Sequence, residues 1–421
     1  LVWLVGSALT SPPGQAQQSA STPMMVEGLR IADRYRVAAI AARRFTHADF
    51  WRAVAPSLRS SRLRWEEVGR SLQGRPLRAV HFGTGAVTVL LWSQMHGDES
   101  TATMALADLL AWLAAPDPDS VRDRIASVLT VVMVPMLNPD GAERFQRENA
   151  AGIDVNRDAR RLATPEGRAL HTLHTRLRPE FGFNLHDQNA RTRAGPAGLQ
   201  VAVALLAPAA DPERSWGPTR SRARQVAAGI ARDLRSEIGG RIARYDDTFN
   251  PRAFGDLLQS WGTSTVLIES GALPGDPEKQ QLRRLTAAAL VSALHTIARG
   301  DYASADVSEY DRLPVNAGGA YDLLVLGGEL VLPGQAPLRA DVAINYDEPV
   351  RRTGGRVREV GDLNGAVALD TLYATGAYLH PRAAALVRGG TAVWLPIGAR
   401  ALFDLREGPQ PTSRLRRRID R

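Results

Sequence analysis

The sequence predicts an α/β domain, a mostly parallel mixed sheet with helices on both faces, followed by a small β-rich appendage. Apolar runs long enough for buried strands recur through the first part of the chain, and segments with leucines at helical spacing separate them. Beyond Gly300 the runs shorten and are broken by Gly and Pro, the style of a small β-domain.

Taken in order, the chain opens with the apolar run Leu1–Leu9 and continues through Ser11-Pro12-Pro13-Gly14-Gln15-Ala16. A short apolar core followed by small residues reads as part of a secretory signal with a linker over 1–20, so export to the periplasm or exterior is expected; a frayed helix is the alternative. Residues 21–60 read as an N-terminal helical segment, polar to about residue 30 and helix-like over 31–44. The α/β pattern of 61–300 follows. Val87–Met95 predicts a buried strand and Thr101–Ala114 a helix, with Leu106, Leu109, Leu110 and Leu113 on one face. Val128–Leu137 predicts a second strand that ends at the turn Asn138-Pro139-Asp140-Gly141. Phe181–Leu185 ends at His186, and Thr263–Ile268 ends at Glu269, with helices expected over 221–238 and 281–298. Over 301–421, short β-like runs at 321–326, 329–332, 340–344 and 392–405 predict the appendage. No later segment has the roughly 20 apolar residues of a membrane span.

Composition narrows the chemistry. With 44% hydrophobic and 23% charged residues the chain is an ordinary globular one, not disordered or fibrous. It has no cysteine, which removes disulfides, thiolate metal sites and a cysteine nucleophile, so any metal must be held by His, Asp or Glu. The net charge of +8 comes from arginine, Lys279 being the only lysine, and reflects a general compositional bias. No nucleic-acid partner is expected, and the basic end at 414–421 reads as a solvated terminus.

The candidate chemistry lies at strand ends, where parallel sheets bind ligands. His96-Gly97-Asp98-Glu99-Ser100 places an imidazole and a carboxylate three residues apart across a Gly-containing turn, a geometry that suits zinc. A catalytic zinc needs a third donor, and His186, in Asn184-Leu185-His186-Asp187, is the best candidate; the alternative is a core histidine bonded to Asp187. Between them come Arg147-Glu148-Asn149 and Gly152-Ile153-Asp154-Val155-Asn156-Arg157-Asp158. If extended, this segment turns Asp154, Asn156 and Asp158 to one side. Arginine beside an amide suits recognition of a carboxylate, although a solvated charged loop is the plainer explanation. Glu269 at the mouth of a buried strand is costly without a partner, and a general base beside a metal-activated water supplies the reason for it.

Together these residues resemble the zinc metallocarboxypeptidases of the M14 type, specifically their bacterial branch. The resemblance runs over 65–298, from Gly69-Arg70-Ser71-Leu72-Gln73-Gly74-Arg75-Pro76 through His-x-x-Glu, Asn-Pro-Asp-Gly, Gly-Ile-Asp-x-Asn-Arg-Asp and His186 to the Glu269 strand. It implies one zinc per chain held by His96, Glu99 and His186, with Asp154 orienting His96. It implies that Asn156 and Arg157 grip the substrate's terminal carboxylate and that Arg147 polarises the scissile carbonyl and stabilises the oxyanion. Glu269 would assist attack of a zinc-bound water and then protonate the leaving amine. A mobile tyrosine of the family's digestive members has its nearest match in Tyr245, and the pocket that selects the departing side chain falls near Phe254 and Asp256.

The expected activity is hydrolysis of a C-terminal peptide bond in a peptide or cell-wall peptide. A zinc-dependent N-acyl amino acid deacylase or cell-wall peptide amidase on the same scaffold is the alternative, and a non-catalytic binding module a more distant one. Oligomeric state and the role of 301–421 leave no mark in the sequence.

Overall fold

The structure is a computed structural model that describes residues 22–390 and 392–420; the expected signal over 1–20 lies outside the described residues. The strands up to residue 300 are β1 (Leu63–Arg70), β2 (Pro76–Phe82), β3 (Val87–Ser93), β4 (Leu129–Val134), β5 (Phe181–Asp187), a short β6 (Arg193–Ala194), β7 (Val203–Leu206), β8 (Ile242–Arg244) and β9 (Ser264–Ser270). All but β6 join one eight-stranded sheet in the order β1-β2-β4-β3-β5-β9-β7-β8. Its centre, β4-β3-β5-β9, is parallel; β1 and β2 add antiparallel strands at one edge and β7 runs antiparallel to β9.

The helices are α1 (Pro23–Arg34), α2 (His47–Val54), α3 (Thr101–Ala114), α4 (Ser120–Val128), α5 (Pro139–Arg144), α6 (Pro165–Leu177), α7 (Pro218–Ile238), α8 (Phe254–Ser260) and α9 (Gln280–Arg299). Because side chains alternate along a strand, β3 feeds two cores. Val89 and Leu91 pack with residues of α1, α3, α7 and α9, whereas Leu90 and Trp92 pack with Leu170 and Leu173 of α6 and Phe254 and Leu258 of α8. Both faces are covered, which is why the central strands read as largely apolar runs without strict alternation.

The N-terminal helix differs from the expectation of a polar linker followed by a helix over 31–44. Helix α1 covers 23–34: Thr22 accepts the Met25 N–H through Oγ1, and Pro23 opens the first turn, a favoured position. Met25, Leu29 and Ala32 make its buried face. The chain beyond Tyr35 is held by side chains instead of a helical ladder. The buried Arg283 donates to the carbonyls of Val37 and Ile40, while Asp108 accepts the Val37 N–H at 2.7 Å and pairs with Arg283.

At the amino ends of the central strands, His174 packs on Trp261 and its Nε2 lies 2.9 Å from Thr263 Oγ1. That hydroxyl already donates to the Pro179 carbonyl, so the imidazole Nε2–H donates to it. Burial pushes the His174 pKa down to about 4. The unfolded chain then binds more protons between that value and the usual 6.5, so this stability is present at pH 7 and lost as pH falls. Lowering pH from 7 to 5 is expected to remove about 2 kcal/mol through this residue. Urea midpoints of the wild type and His174→Gln at the two pH values check it, the variant showing the smaller acid loss.

Beyond residue 300, β10 (Asn316–Ala317) pairs with β6, and a β-rich region follows as expected. Its strands are β11 (Leu323–Leu326), β12 (Glu329–Leu330), β13 (Leu338–Arg339), β14 (Asp341–Glu348), β15 (Thr353–Gly361), β16 (Thr371–Tyr373), β17 (Tyr378–Pro381), β18 (Val387–Gly389), β19 (Ala392–Trp394), β20 (Leu402–Arg406) and β21 (Leu415–Asp420). They form a sheet β15-β14-β11-β16, a sheet β13-β12-β17-β20-β21 and the hairpin β18-β19. Val325, Ile344, Val357, Leu379 and Phe403 give this region its own core.

Candidate active site

Three of the central elements end at one place. β3 stops at Ser93, and Gln94 takes a left-handed conformation that turns the chain into His96-Gly97-Asp98-Glu99 ahead of α3. Asn138 supports this turn from the Asn-Pro-Asp-Gly motif: its Oδ1 accepts the Gly141 N–H at 2.9 Å, capping α5, and its amide donates to Met95 O at 3.2 Å. Gly97 lies against the backbone of Gly141, where a Cβ would come within 2.0 Å of the Gly141 carbonyl carbon, so glycine is required. Glu99 does not cap α3; the N-cap position is Ser100. β5 carries His186, and β9, in register beside it, carries Glu269 opposite His186.

The structure brings His96, Glu99 and His186 together, all buried, with one ligand atom from each within 4.8 Å of the others. His96 Nδ1 is 2.7 Å from Glu99 Oε1, and His186 Nδ1 is 2.7 Å from Glu99 Oε2. His186 is therefore not a core histidine bonded to Asp187; the Asp187 carboxylate instead accepts from Thr101 at 2.7 Å and from Lys279 at 2.9 Å. Two imidazole nitrogens and a carboxylate facing one point are a donor set that suits zinc. Asp154 Oδ1 sits 2.9 Å from His96 Nε2 and fixes the ring.

The electrostatics favour a cation at this point. Burial works against charge on His96, but Glu99 and Asp154 outweigh it and raise its pKa to about 9. Burial likewise opposes the Glu99 carboxylate, yet the two imidazoles hold it well below its ordinary range. Glu269 shows the opposite balance: burial and then the Glu99 charge push it well above the usual carboxyl value. Its Oε2 is buried without a partner among the described residues.

The segment after Arg147 is not extended. Asp154 caps a single 3₁₀ turn over Val155–Arg157 by accepting the Asn156 N–H at 2.8 Å, so the alternation that would align Asp154, Asn156 and Asp158 is lost. Asp158 turns inward and accepts from Ala163 and Thr164, a structural role. Asn156 and Arg157 remain on the cleft; Asn156 Oδ1 accepts the Phe254 N–H at 3.0 Å, which leaves its NH₂ group for a ligand. Arg147 is anchored to Asp154 Oδ2 through Nε at 3.0 Å and Nη2 at 2.9 Å, while Nη1 reaches Glu99 Oε1 at 3.2 Å.

These groups line one open cleft of about 880 Å³, together with Tyr245, whose pKa burial pushes up to about 12, keeping the phenol protonated. Of the two residues near the expected side-chain pocket, Phe254 is fully buried in the core below, and Asp256 lines the cleft. Sequence reasoning passed over several lining residues. Asn184 stands two positions before His186, on the same face of β5, a placement that strand alternation could have revealed. Arg43, Asn316 and Val350 come from distant segments and carry no local signal.

Fold and donor set define an α/β domain with a candidate metal centre at the carboxyl ends of its parallel strands. Residues 49–196 match the family model for zinc carboxypeptidases, Peptidase M14. A probable carboxypeptidase 2 of Arthroderma benhamiae is 32% identical over 108 residues, 25% of this chain and 20% of its own length. Carboxypeptidase 2 of Trichophyton rubrum is 27% identical over 162 residues, 36% of this chain and 29% of its own length, so the match spans under a third of these relatives. Among solved structures, a metallo-carboxypeptidase from Burkholderia cenocepacia shares the fold at 17% identity and a TM-score of 0.50, covering 62% of this chain and 70% of its own.

Proposed function

We propose that the protein is a zinc-dependent metallocarboxypeptidase that hydrolyses the C-terminal bond of peptides or cell-wall peptides. The observation that carries this reading is Glu269: a buried carboxyl with a free oxygen, in register with His186 and in the same cleft as Asn156 and Arg157. His96, Glu99 and His186 would hold one zinc, which when bound supplies an acidified water and polarises a carbonyl. The Arg157 guanidinium and Asn156 NH₂ bind the substrate's terminal carboxylate and so set which bond is cut. Arg147, fixed by its two bonds to Asp154, offers positive charge where carbonyl charge develops. Glu269 takes a proton from the attacking water and passes it to the leaving amine.

Placement in the bacterial branch is part of the same proposal and rests on the order of motifs through Glu269, since the curated relatives above are fungal. Export rests on the Leu1–Ala16 pattern; among the described residues no helix is long and apolar enough to cross a membrane.

The recess beside the clamp supports a basic departing residue. Asn184 is buried with a partnerless Oδ1, and Asp256 accepts the Asn250 N–H at 2.9 Å while burial raises its pKa to about 6. Gly255 keeps the space open, because a Cβ there would lie 2.9 Å from Asn184 Nδ2. Asp256 gains its charge as pH rises through that value. Preference for C-terminal Arg or Lys over Leu is therefore expected to grow from pH 5 to 7, and to fall about tenfold or more at pH 7 in Asp256→Asn. Competition between the peptides measures it.

Metal analysis with a mass-spectrometric screen of peptides, N-acyl amino acids and cell-wall fragments, with and without chelator, tests the proposed activity. Stepwise loss of single C-terminal residues supports it. Release of an acyl group from N-acyl amino acids alone would make the chain a deacylase instead.

A further inference from the structure

The cleft is completed by residues that follow the α/β domain, beyond residue 300: Asn316, Pro349 and Val350 line it. Pro349 and Val350 lie in the turn between β14 and β15, and ties on both flanks hold that turn in place. Glu348 Oε2 accepts from Arg43 Nη2 at 2.7 Å, and Arg351 Nη2 donates to Glu278 Oε1 at 2.6 Å. The other Glu278 oxygen accepts the Arg43 backbone N–H at 2.9 Å, so one carboxylate joins the turn to the N-terminal segment. Further back, Arg191 donates to Asp322 at 2.9 Å and to the Tyr346 carbonyl at 2.6 Å, and Asn316 donates to Gln188 at 2.7 Å. Gln188 and Arg191 belong to the segment that directly follows His186.

A single exposed ion pair fixes little, but a set closing on both sides of a short turn defines its position. The result is a half-buried apolar pair set among polar neighbours such as Arg43, Gln188 and Asn189. The clamp and the recess account for the residue that leaves. The part of a peptide before the scissile bond must run along other walls of the cleft, and this tip offers it an apolar contact.

We infer that Pro349–Val350 is a specificity-determining wall against which the acyl-side residues of a bound peptide pack, so that the C-terminal β-region takes part in substrate selection. The inference rests on the carboxypeptidase reading. In the full chain, Val350→Ser and the double variant Pro349→Gly/Val350→Ser are compared with wild type on a blocked dipeptide and a blocked hexapeptide. The two peptides share the same last two residues, and the hexapeptide carries apolar residues upstream. The hexapeptide-to-dipeptide ratio of kcat/KM is expected to fall about tenfold. Affinity of both peptides, measured by fluorescence anisotropy in a Glu269→Gln background, should split the same way. An unchanged ratio, or equal loss on both peptides, in variants that melt at the wild-type temperature overturns the wall. If wild type releases no C-terminal residue from either peptide, the carboxypeptidase reading fails. The binding comparison then still decides the wall: a length-dependent affinity that Val350→Ser removes upholds it, and no dependence on length refutes it.

Discussion

Replacement of Glu269 by Gln is expected to cut turnover by roughly 10²–10⁴-fold while leaving metal content intact. The change keeps size and hydrogen-bonding capacity but removes the ability to take up and release a proton. Glu269 is 8% exposed and stands across the strand pair from His186, outside the cluster formed by His96, Glu99 and His186. Loss of turnover with full metal occupancy is thus the expected signature of a base. Single-turnover release of the C-terminal residue, read beside metal analysis, separates the possible outcomes. Unchanged turnover with metal bound would leave the proton transfer to another group.

Metal removal should have the second large effect, on both activity and stability. Without a cation, Glu99 is a buried carboxylate whose charge is supported by two imidazoles and Arg147. An ion that binds only the folded chain adds about 3–4 kcal/mol when its concentration is 100–1,000 times its Kd. Chelation is therefore expected to abolish turnover and lower the melting temperature by several degrees, with zinc restoring both. His186→Ala should remove the zinc-dependent rise in melting temperature. A chelated protein that keeps its activity and its melting point would show that the cluster is not a metal centre.

The central sheet was legible because its strands are buried on both faces. Val87–Met95 and Phe181–Leu185 are largely apolar runs of strand length bounded by turn residues, and parallel strands deliver the residues at and just beyond their ends, His186 and His96 among them, to one end. Glu269 was visible for the same reason. Arg147 through Asp158 was not, because a capped 3₁₀ turn and an extended run share the same polar composition, and only the Asp154 bond to the Asn156 N–H decides between them. The N-terminal helix was misplaced because Arg283, from a distant helix, satisfies the carbonyls after Tyr35 that a longer helix would have used. Asp256 and Phe254, two residues apart, could not be ranked without knowing which side of α8 faces the cleft.

Lys279 lies at the carboxyl end of the sheet, 3% exposed, its ammonium donating to Asp187 at 2.9 Å and directed at the Ser270 carbonyl at 3.4 Å. Since the chain has no other lysine, its many surface cations are all guanidinium groups. Acylating reagents that seek a side-chain amine therefore meet one target, shielded while the fold is intact. Modification of this single amine reports release of its contacts with Asp187 and Ser270 at the carboxyl ends of β5 and β9, and its rate measures how often the native state opens the segment ahead of α9.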